Sequence, residues 1–153
     1  KRLISAGKRA KLKNHASVKY QVEVARDYWD RIIAEEGIID APIERLPLPS
    51  LLRQVSPEGK PSQTGFRVLS REDGYTKLEL QAITGRTHQL RVHCAHTLGL
   101  GRPILGDLLY GSESTSNEES RSTNRLCLHA LSITFRHPDT DAPLTFTSSH
   151  LTY

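Results

Sequence analysis

Residues 84–93 combine side chains whose types and spacing suit the binding of an anion. The stretch reads T-G-R-T-H-Q-L-R-V-H. Arg86 and Arg91 supply fixed positive charge, and His88 supplies a ring that can donate or accept a hydrogen bond. Gly85 permits a tight turn ahead of them. If this turn opens a helix, backbone N–H groups without partners lie beside these side chains, and we predict an anion site here.

Two elements should position this stretch. Apolar and polar residues alternate over 77–82, which predicts a strand leading into the turn. After the turn, apolar residues recur at every fourth position: Leu90, Cys94 and Leu98. This spacing predicts a helix over about 87–98. On such a helix His88 and Arg91 would share one face, roughly opposite the leucines.

The rest of the chain has the pattern of an α+β domain. Strands are predicted at about 20–24, 65–70, 76–82, 126–135 and 144–147, a short helix at 25–36 and a loop-rich connection at 41–64. A turn at residues 72–74 makes a hairpin, and strands joined by turns favour a mixed, mainly antiparallel sheet with flanking helices. The apolar positions of the long strand change face midway. A bulge near Ala130, or burial on both faces, would explain that change.

Positive charge is concentrated at the start of the chain. Seven of the 21 basic residues precede Glu23, whereas all 17 acidic residues lie at or beyond it. The formal net charge of +4 therefore originates in this segment. A basic lead-in over residues 1–17 suits the phosphate backbone of a nucleic acid, and a merely solvated basic flank is the alternative.

The composition indicates one folded domain. Hydrophobic residues make up 37% of the 153 residues and charged residues 25%, and apolar runs are only a few residues long. These values exclude a disordered chain and a membrane-spanning helix. Cys94 and Cys127 have apolar neighbours and are predicted to be reduced core residues. Residues 112–124 lack large apolar side chains and are predicted to form a mobile surface loop. From the composition and the reduced cysteines we expect a soluble, cytoplasmic protein.

The stretch at 84–93 is one of several blocks that together resemble the RluA-type pseudouridine synthases, which isomerise uridine in ribosomal and transfer RNA. The blocks occur in the order of that family, at residues 18–24, 37–43, 59–64, 84–93, 101–111, 125–130 and 135–138. The resemblance implies part of the pseudouridine synthase fold, a mixed sheet split by an RNA-binding cleft. It also implies an RNA partner, with no cofactor, no membrane and no obligate protein partner.

The resemblance also implies roles for individual residues. Tyr20 matches the tyrosine that stacks on the flipped uracil and assists proton removal, although an ordinary half-buried strand tyrosine is the alternative. Arg91 matches the arginine that pairs with the catalytic aspartate. Arg86 and His88 would contact phosphate or base, and Leu126 matches a position that lines the uracil slot.

The catalytic aspartate of that family lies in an R-L-D-x-x-T-S-G motif upstream of the tyrosine strand, and no Arg-Leu-Asp occurs here. The chain also contains no methionine. We therefore expect residues 1–153 to be the C-terminal part of a catalytic domain, inactive alone, within a longer active enzyme. A non-catalytic RNA-binding remnant of the same fold is the alternative.

A cluster of zinc-binding residue types allows a third interpretation, a metal-dependent interaction module. Its members fall within nine residues: His88, His93, Cys94 and His96. Zinc requires its ligands to converge on one point, whereas His93, Cys94 and His96 project in different directions from a helix. We therefore predict no metal site.

Overall fold

A computed structural model describes residues 17–25, 32, 34–111 and 125–149 of the chain. The described residues form eight strands and one helix. In chain order these are β1 Ser17–Ala25, β2 Glu36–Asp40, β3 Ile43–Arg45, β4 Arg53–Val55, β5 Gln63–Arg71, β6 Tyr75–Ala82, α1 Gln89–Ala95, β7 Leu128–Arg136 and β8 Pro143–Thr147. Nearly all of the basic lead-in and the predicted loop at 112–124 lie outside the described residues.

Six strands form one sheet in the order β2-β5-β6-β1-β7-β8, and β3 pairs with β4 in a separate ribbon. Every strand pairing among the described residues is antiparallel, so the mainly antiparallel sheet is confirmed without a parallel component in this part of the chain. The β5–β6 hairpin is also confirmed. Gly74 has a φ of 83° in its turn, a conformation that glycine adopts without steric cost.

The apolar core lies on one face of the sheet. Val22 of β1 pairs with Leu78 of β6, and both side chains are fully buried. Helix α1 contributes Leu90 and Cys94 to the same cluster. Burying each large aliphatic side chain stabilises the fold by about 1.5–3 kcal/mol, so this cluster fixes α1 against the sheet. No helix in the described part is long and apolar enough to cross a membrane.

Both cysteines are buried free thiols, as predicted. Burial raises the pKa of the Cys94 thiol to about 12. The thiol is therefore protonated at neutral pH and behaves as a small apolar side chain.

The bulge predicted in the long strand is confirmed. In the β1–β7 pairing Lys19 faces Ser132 and Tyr20 faces Ala130, so Leu131 is the extra residue. One extra residue reverses the direction of all later side chains, which explains why the apolar pattern changes face within this strand.

Helix α1 is shorter than predicted at both ends. His88 has a φ of 56°, so the helix begins only after it. At the other end Gly99 comes so close that a Cβ would collide with the carbonyl oxygen of His93, which accepts a bond from Leu100 N–H. The chain thus folds back, and Leu98 is 70% exposed instead of continuing the apolar stripe.

Two further predictions need correction. Most of the helix predicted at 25–36 lies outside the described residues, but Ala34 and Glu35 form a bend and Glu36 begins β2. The connection at 41–64 contains β3 and β4 and the start of β5. In the ribbon Ile43 pairs with Val55, and the buried Ile43 also exchanges two backbone hydrogen bonds with Lys60, which close the segment on itself.

Candidate active site

A bidentate ion pair between Arg91 and Asp107 is the centre of the candidate site. Arg91 Nε lies 2.9 Å from Asp107 Oδ2, and Nη2 lies 2.6 Å from Oδ1. The Asp107 side chain is fully buried, whereas that of Arg91 is 17% exposed. Asp107 Oδ1 also accepts backbone N–H bonds from Leu109 and Tyr110. These donors satisfy a carboxylate that would be very costly to bury alone.

Local backbone geometry points Asp107 at α1. Gly106 has a φ of +75°, and a Cβ there would collide with the carbonyl oxygen of Arg125. Only glycine suits both constraints. The Asp107 side chain then bonds the N–H groups two and three residues further on, which fixes the turn.

The electrostatics keep both members of this pair ionised. Burial by itself would raise the pKa of Asp107, but hydrogen bonds from Arg91 and from the N–H groups of Tyr110 and Leu109 lower it below its ordinary value. The hydrogen bond to Asp107 likewise raises the pKa of Arg91. Among the described residues Arg91 Nη1 has no hydrogen-bond partner, so this end of the guanidinium is available to a second acceptor.

Tyr110 connects Arg91 to two other elements. The Arg91 Cζ atom lies 5.2 Å from the centre of the Tyr110 ring, within the range of a cation–π contact. The Tyr110 hydroxyl lies 2.7 Å from His88 Nδ1 and accepts a 3.0 Å hydrogen bond from the backbone N–H of Arg53. One side chain therefore ties the start of α1 to the β3–β4 ribbon.

His88 is held neutral within this network. Burial lowers its pKa, the positive charges of Arg91 and Arg53 lower it further, and Asp107 opposes them. A neutral ring leaves Nδ1 able to accept a hydrogen bond from the Tyr110 hydroxyl.

The predicted anion site depended on free backbone N–H groups, but Gln89 is involved in hydrogen bonds that occupy two of them. Its Oε1 accepts hydrogen bonds from Arg86 N–H and from Thr84 Oγ1, and its Nε2 donates to Gln63 O and Thr64 Oγ1. The N–H of Gln89 itself bonds Arg86 O. The prediction of free N–H groups in this turn is therefore wrong for these two residues. The exposed Arg86 guanidinium instead donates to Pro61 O.

The structure brings some predicted site residues together and leaves others apart. Arg91 and His88 both contact Tyr110. His88 was predicted to lie on the helix, but it immediately precedes it. Tyr20 and Leu126 are half-buried and pack against the core cluster that also holds Leu90 of α1. Arg86 is exposed and lies outside that cluster.

Asp107 and Tyr110 were not predicted as site residues from the sequence. Asp107 stands between apolar neighbours, in the sequence I-L-G-D-L-L-Y, which is unusual for a carboxylate with no buried partner. That pattern was the available signal for a buried ion pair. The identity of the partner, 16 residues away, depended on the tertiary fold.

His93 has a structural role in the core. Its Nδ1 lies 2.8 Å from Thr64 Oγ1, and its Nε2 lies 2.9 Å from Ala41 O. Both ring nitrogens are therefore occupied by protein partners. No group of three or more potential metal ligands converges within the part of the chain that the structure describes.

We expect replacement of Tyr110 with phenylalanine to raise the pKa of His88, because the hydroxyl no longer stabilises the neutral ring. In the unaltered protein the pKa of His88 lies below the ordinary 6.5. The unfolded state then binds more protons, so stability falls as the pH drops below that value. NMR titration of the His88 ring measures its pKa in the unaltered protein and in Tyr110→Phe, with Tyr75→Phe as the control. Urea denaturation at several pH values measures the stability. An unchanged His88 pKa in Tyr110→Phe would contradict the assigned hydrogen bond.

The family model described as RNA pseudouridylate synthase matches residues 5–96. Ribosomal large subunit pseudouridine synthase C of Vibrio vulnificus is 34% identical over 148 residues, which cover 93% of this chain and 45% of the relative. Synthase D of Pasteurella multocida is 38% identical over 144 residues, which cover 81% and 44%. The chain thus spans less than half the length of these curated relatives.

Solved structures give a similar picture. Human RNA Pseudouridylate Synthase Domain Containing 1 superimposes with a TM-score of 0.75 at 27% identity, over 95% of this chain and 59% of that protein. Human RNA Pseudouridylate Synthase Domain Containing 4 superimposes with a TM-score of 0.62 at 26% identity, over 88% and 57%.

Proposed function

Because the chain belongs to the RNA pseudouridylate synthase family, as an RluA-type member, we propose that the full-length protein isomerises uridine to pseudouridine in ribosomal or transfer RNA. The observation that carries this proposal is Arg91, ionised and fixed by buried Asp107 with Nη1 unused among the described residues. An arginine held in this way can orient a second carboxylate. We assign that carboxylate to a nucleophilic aspartate upstream of Tyr20, in a segment that precedes this chain.

Arg91 would then bridge two carboxylates with different tasks. Asp107 fixes the guanidinium from behind, and the upstream aspartate approaches its free end. A neighbouring cation lowers the pKa of a carboxylate, so the upstream aspartate stays ionised and competent as a nucleophile. Because the Asp107 contacts are bidentate, Arg91 keeps its orientation while the second carboxylate reacts.

The isomerisation itself moves bonds within one nucleotide. The bond from N1 of the base to the ribose breaks, a bond from C5 to the ribose forms, and the proton on C5 is lost while N1 gains one. The reaction is redox-neutral and needs no cofactor. In our proposal Tyr20 stacks on the flipped uracil and assists removal of the C5 proton, and Leu126 lines the slot.

RNA is the proposed partner, and Arg86 and His88 are assigned to contacts with phosphate or base. Arg86 is suited to this role because its guanidinium is exposed. His88, being neutral, suits a hydrogen bond better than an ion pair with phosphate. The same proposal places the protein in the cytoplasm with its RNA substrate.

Nucleoside analysis tests this proposal. The full-length protein and the isolated 153-residue chain are each incubated with transcribed ribosomal and transfer RNA, which is then digested and separated by chromatography. We expect pseudouridine from the full-length protein and none from the isolated chain. Pseudouridine made by the isolated chain would overturn the assignment of the nucleophile to an upstream segment. Its absence in every reaction would favour the RNA-binding remnant.

A further inference from the structure

A basic groove lies between the β3–β4 ribbon and the turn that precedes α1. Its volume is about 410 Å³. The charged side chains that line it comprise four cations and two carboxylates: Arg45, Arg53, Lys60, Arg86, Glu44 and Glu58. Glu44 accepts a 2.7 Å hydrogen bond from Gln54. Cations therefore outnumber carboxylates in the groove by four to two.

The positive charges of the groove do not stabilise the fold through ion pairs. Arg45 and Arg53 face each other directly across the ribbon, and like charges in that position destabilise a strand pair. None of the four forms an ion pair with another described residue; Arg45, Arg53 and Arg86 instead donate to backbone carbonyls. These carbonyls hold the guanidinium groups in place without neutralising them. An external anion would remove the repulsion.

The walls of the groove are fixed before any ligand arrives. Lys60 exchanges two backbone hydrogen bonds with Ile43, at 2.9 and 3.0 Å. Gly59 permits this approach, since a Cβ there would collide with the backbone of Ile43. Arg86 Nε and Nη2 both donate to Pro61 O, which joins the two walls. A preformed groove of this kind loses little entropy on binding.

Arg53, which lines the groove, also contacts the candidate active site. The backbone N–H of Arg53 donates to the Tyr110 hydroxyl, which contacts His88. The positive charge of Arg53 also contributes to the lowered pKa of His88, so its field reaches the network around Arg91. A chain-like anion could therefore lie in the groove and extend to Arg91.

We propose that this groove, lined by Arg45, Arg53, Lys60 and Arg86, binds the phosphodiester backbone of the RNA strand next to the target nucleotide. The inference rests on the proposed function and adds where the flanking strand lies. Isolated fixed cations with spare N–H donors suit phosphate oxygens, which carry charge but no base identity. The groove thus contributes affinity and position, while the chemistry stays at Arg91.

The salt dependence of RNA binding by the full-length protein tests the groove. The double variant Arg45→Gln/Lys60→Gln removes two exposed charges, and Arg67→Gln/Arg136→Gln removes two exposed charges elsewhere. With a fluorescent single-stranded RNA as the probe, each lost phosphate contact should reduce the slope of log K against log salt by about 0.7. We expect the groove variant to lose about 1.4 and to bind at least about tenfold more weakly at 0.1 M salt.

The outcomes separate the groove from the proposed activity. A control variant with the same change in slope would show that only net charge matters, and would overturn the groove assignment, as would an unchanged slope in Arg45→Gln/Lys60→Gln. The charge-conserving variant Arg45→Lys/Lys60→Arg should keep the slope of the unaltered protein. Failure of the proposed function appears differently, as an unaltered protein that forms no pseudouridine.

Discussion

Asparagine in place of Asp107 is expected to lower the free energy of unfolding by about 3–5 kcal/mol, the usual cost of removing one member of a buried ion pair. Asparagine can still accept the backbone bonds from Leu109 and Tyr110, but it presents an N–H₂ group towards the Arg91 guanidinium. The Arg91 side chain is only 17% exposed, so its charge would remain without a counter-ion in a poorly solvated position. Urea denaturation of the full-length protein measures the loss.

A double-mutant cycle separates this ion pair from unrelated effects of each substitution. The double variant Arg91→Gln/Asp107→Asn removes both charges. We therefore expect its loss in free energy of unfolding to be clearly smaller than the sum of the losses in the two single variants. The matched control is the exposed pair Arg136→Gln/Asp141→Asn, whose side chains are 56% and 81% exposed. Its coupling should be at most about 1 kcal/mol. Additivity within about 0.5 kcal/mol at Arg91 and Asp107 would contradict the assigned pairing.

The same pair predicts a pH dependence. Because the pKa of Asp107 is lowered in the folded state, its contribution to stability is present above the ordinary pKa of aspartate. The contribution is lost as the pH falls through the lowered value. The difference in stability between the unaltered protein and Asp107→Asn should therefore shrink on acidification.

Phenylalanine in place of Tyr20 is expected to lower kcat by about 10²–10⁴-fold, the range for loss of a general acid or base. The ring that we propose to stack on uracil is kept, so the Kd for RNA should change little. Tyr20→Leu removes the ring as well, and its RNA binding should weaken by about 1–3 kcal/mol. Single-turnover kinetics and RNA titrations measure the two quantities separately.

Tyr75→Phe is the matched control for this prediction, because Tyr75 begins β6 beside the hairpin turn and has no proposed contact with RNA. It should retain the kcat of the unaltered protein. A Tyr20→Phe variant with unchanged kcat would remove the proton-transfer role and leave Tyr20 as a packing residue against the core cluster.

Strong local patterns predicted much of the sheet. Alternation identified β1 and β6, β5 was predicted at 65–70, and Gly74 marked the turn between β5 and β6. The change of phase within residues 126–135 predicted either a bulge near Ala130 or burial on both faces. The structure has the bulge, at Leu131, and one extra residue reverses the faces to which the later side chains point. These features depend on residues that are close in sequence, so the sequence pattern is enough to predict them.

The features that were predicted wrongly or not at all depend on contacts between segments distant in sequence. The start and end of α1 are set by the left-handed backbone of His88 and by the approach of Gly99 to His93, and neither is visible in the helical spacing. Arg91 and His88 were predicted as site residues, whereas their contact partners Asp107 and Tyr110 were not. Their partners lie 16 and 22 residues away, so only the fold brings them together.

Tritium release from RNA labelled at C5 of uridine tests the central claim most directly, because that position must exchange its hydrogen when it becomes the glycosidic carbon. We expect the full-length protein to release one equivalent of tritium for each target uridine. RNA bound tightly with no tritium release would contradict the account, since Arg91 and Tyr20 would then belong to a binding cleft without chemistry.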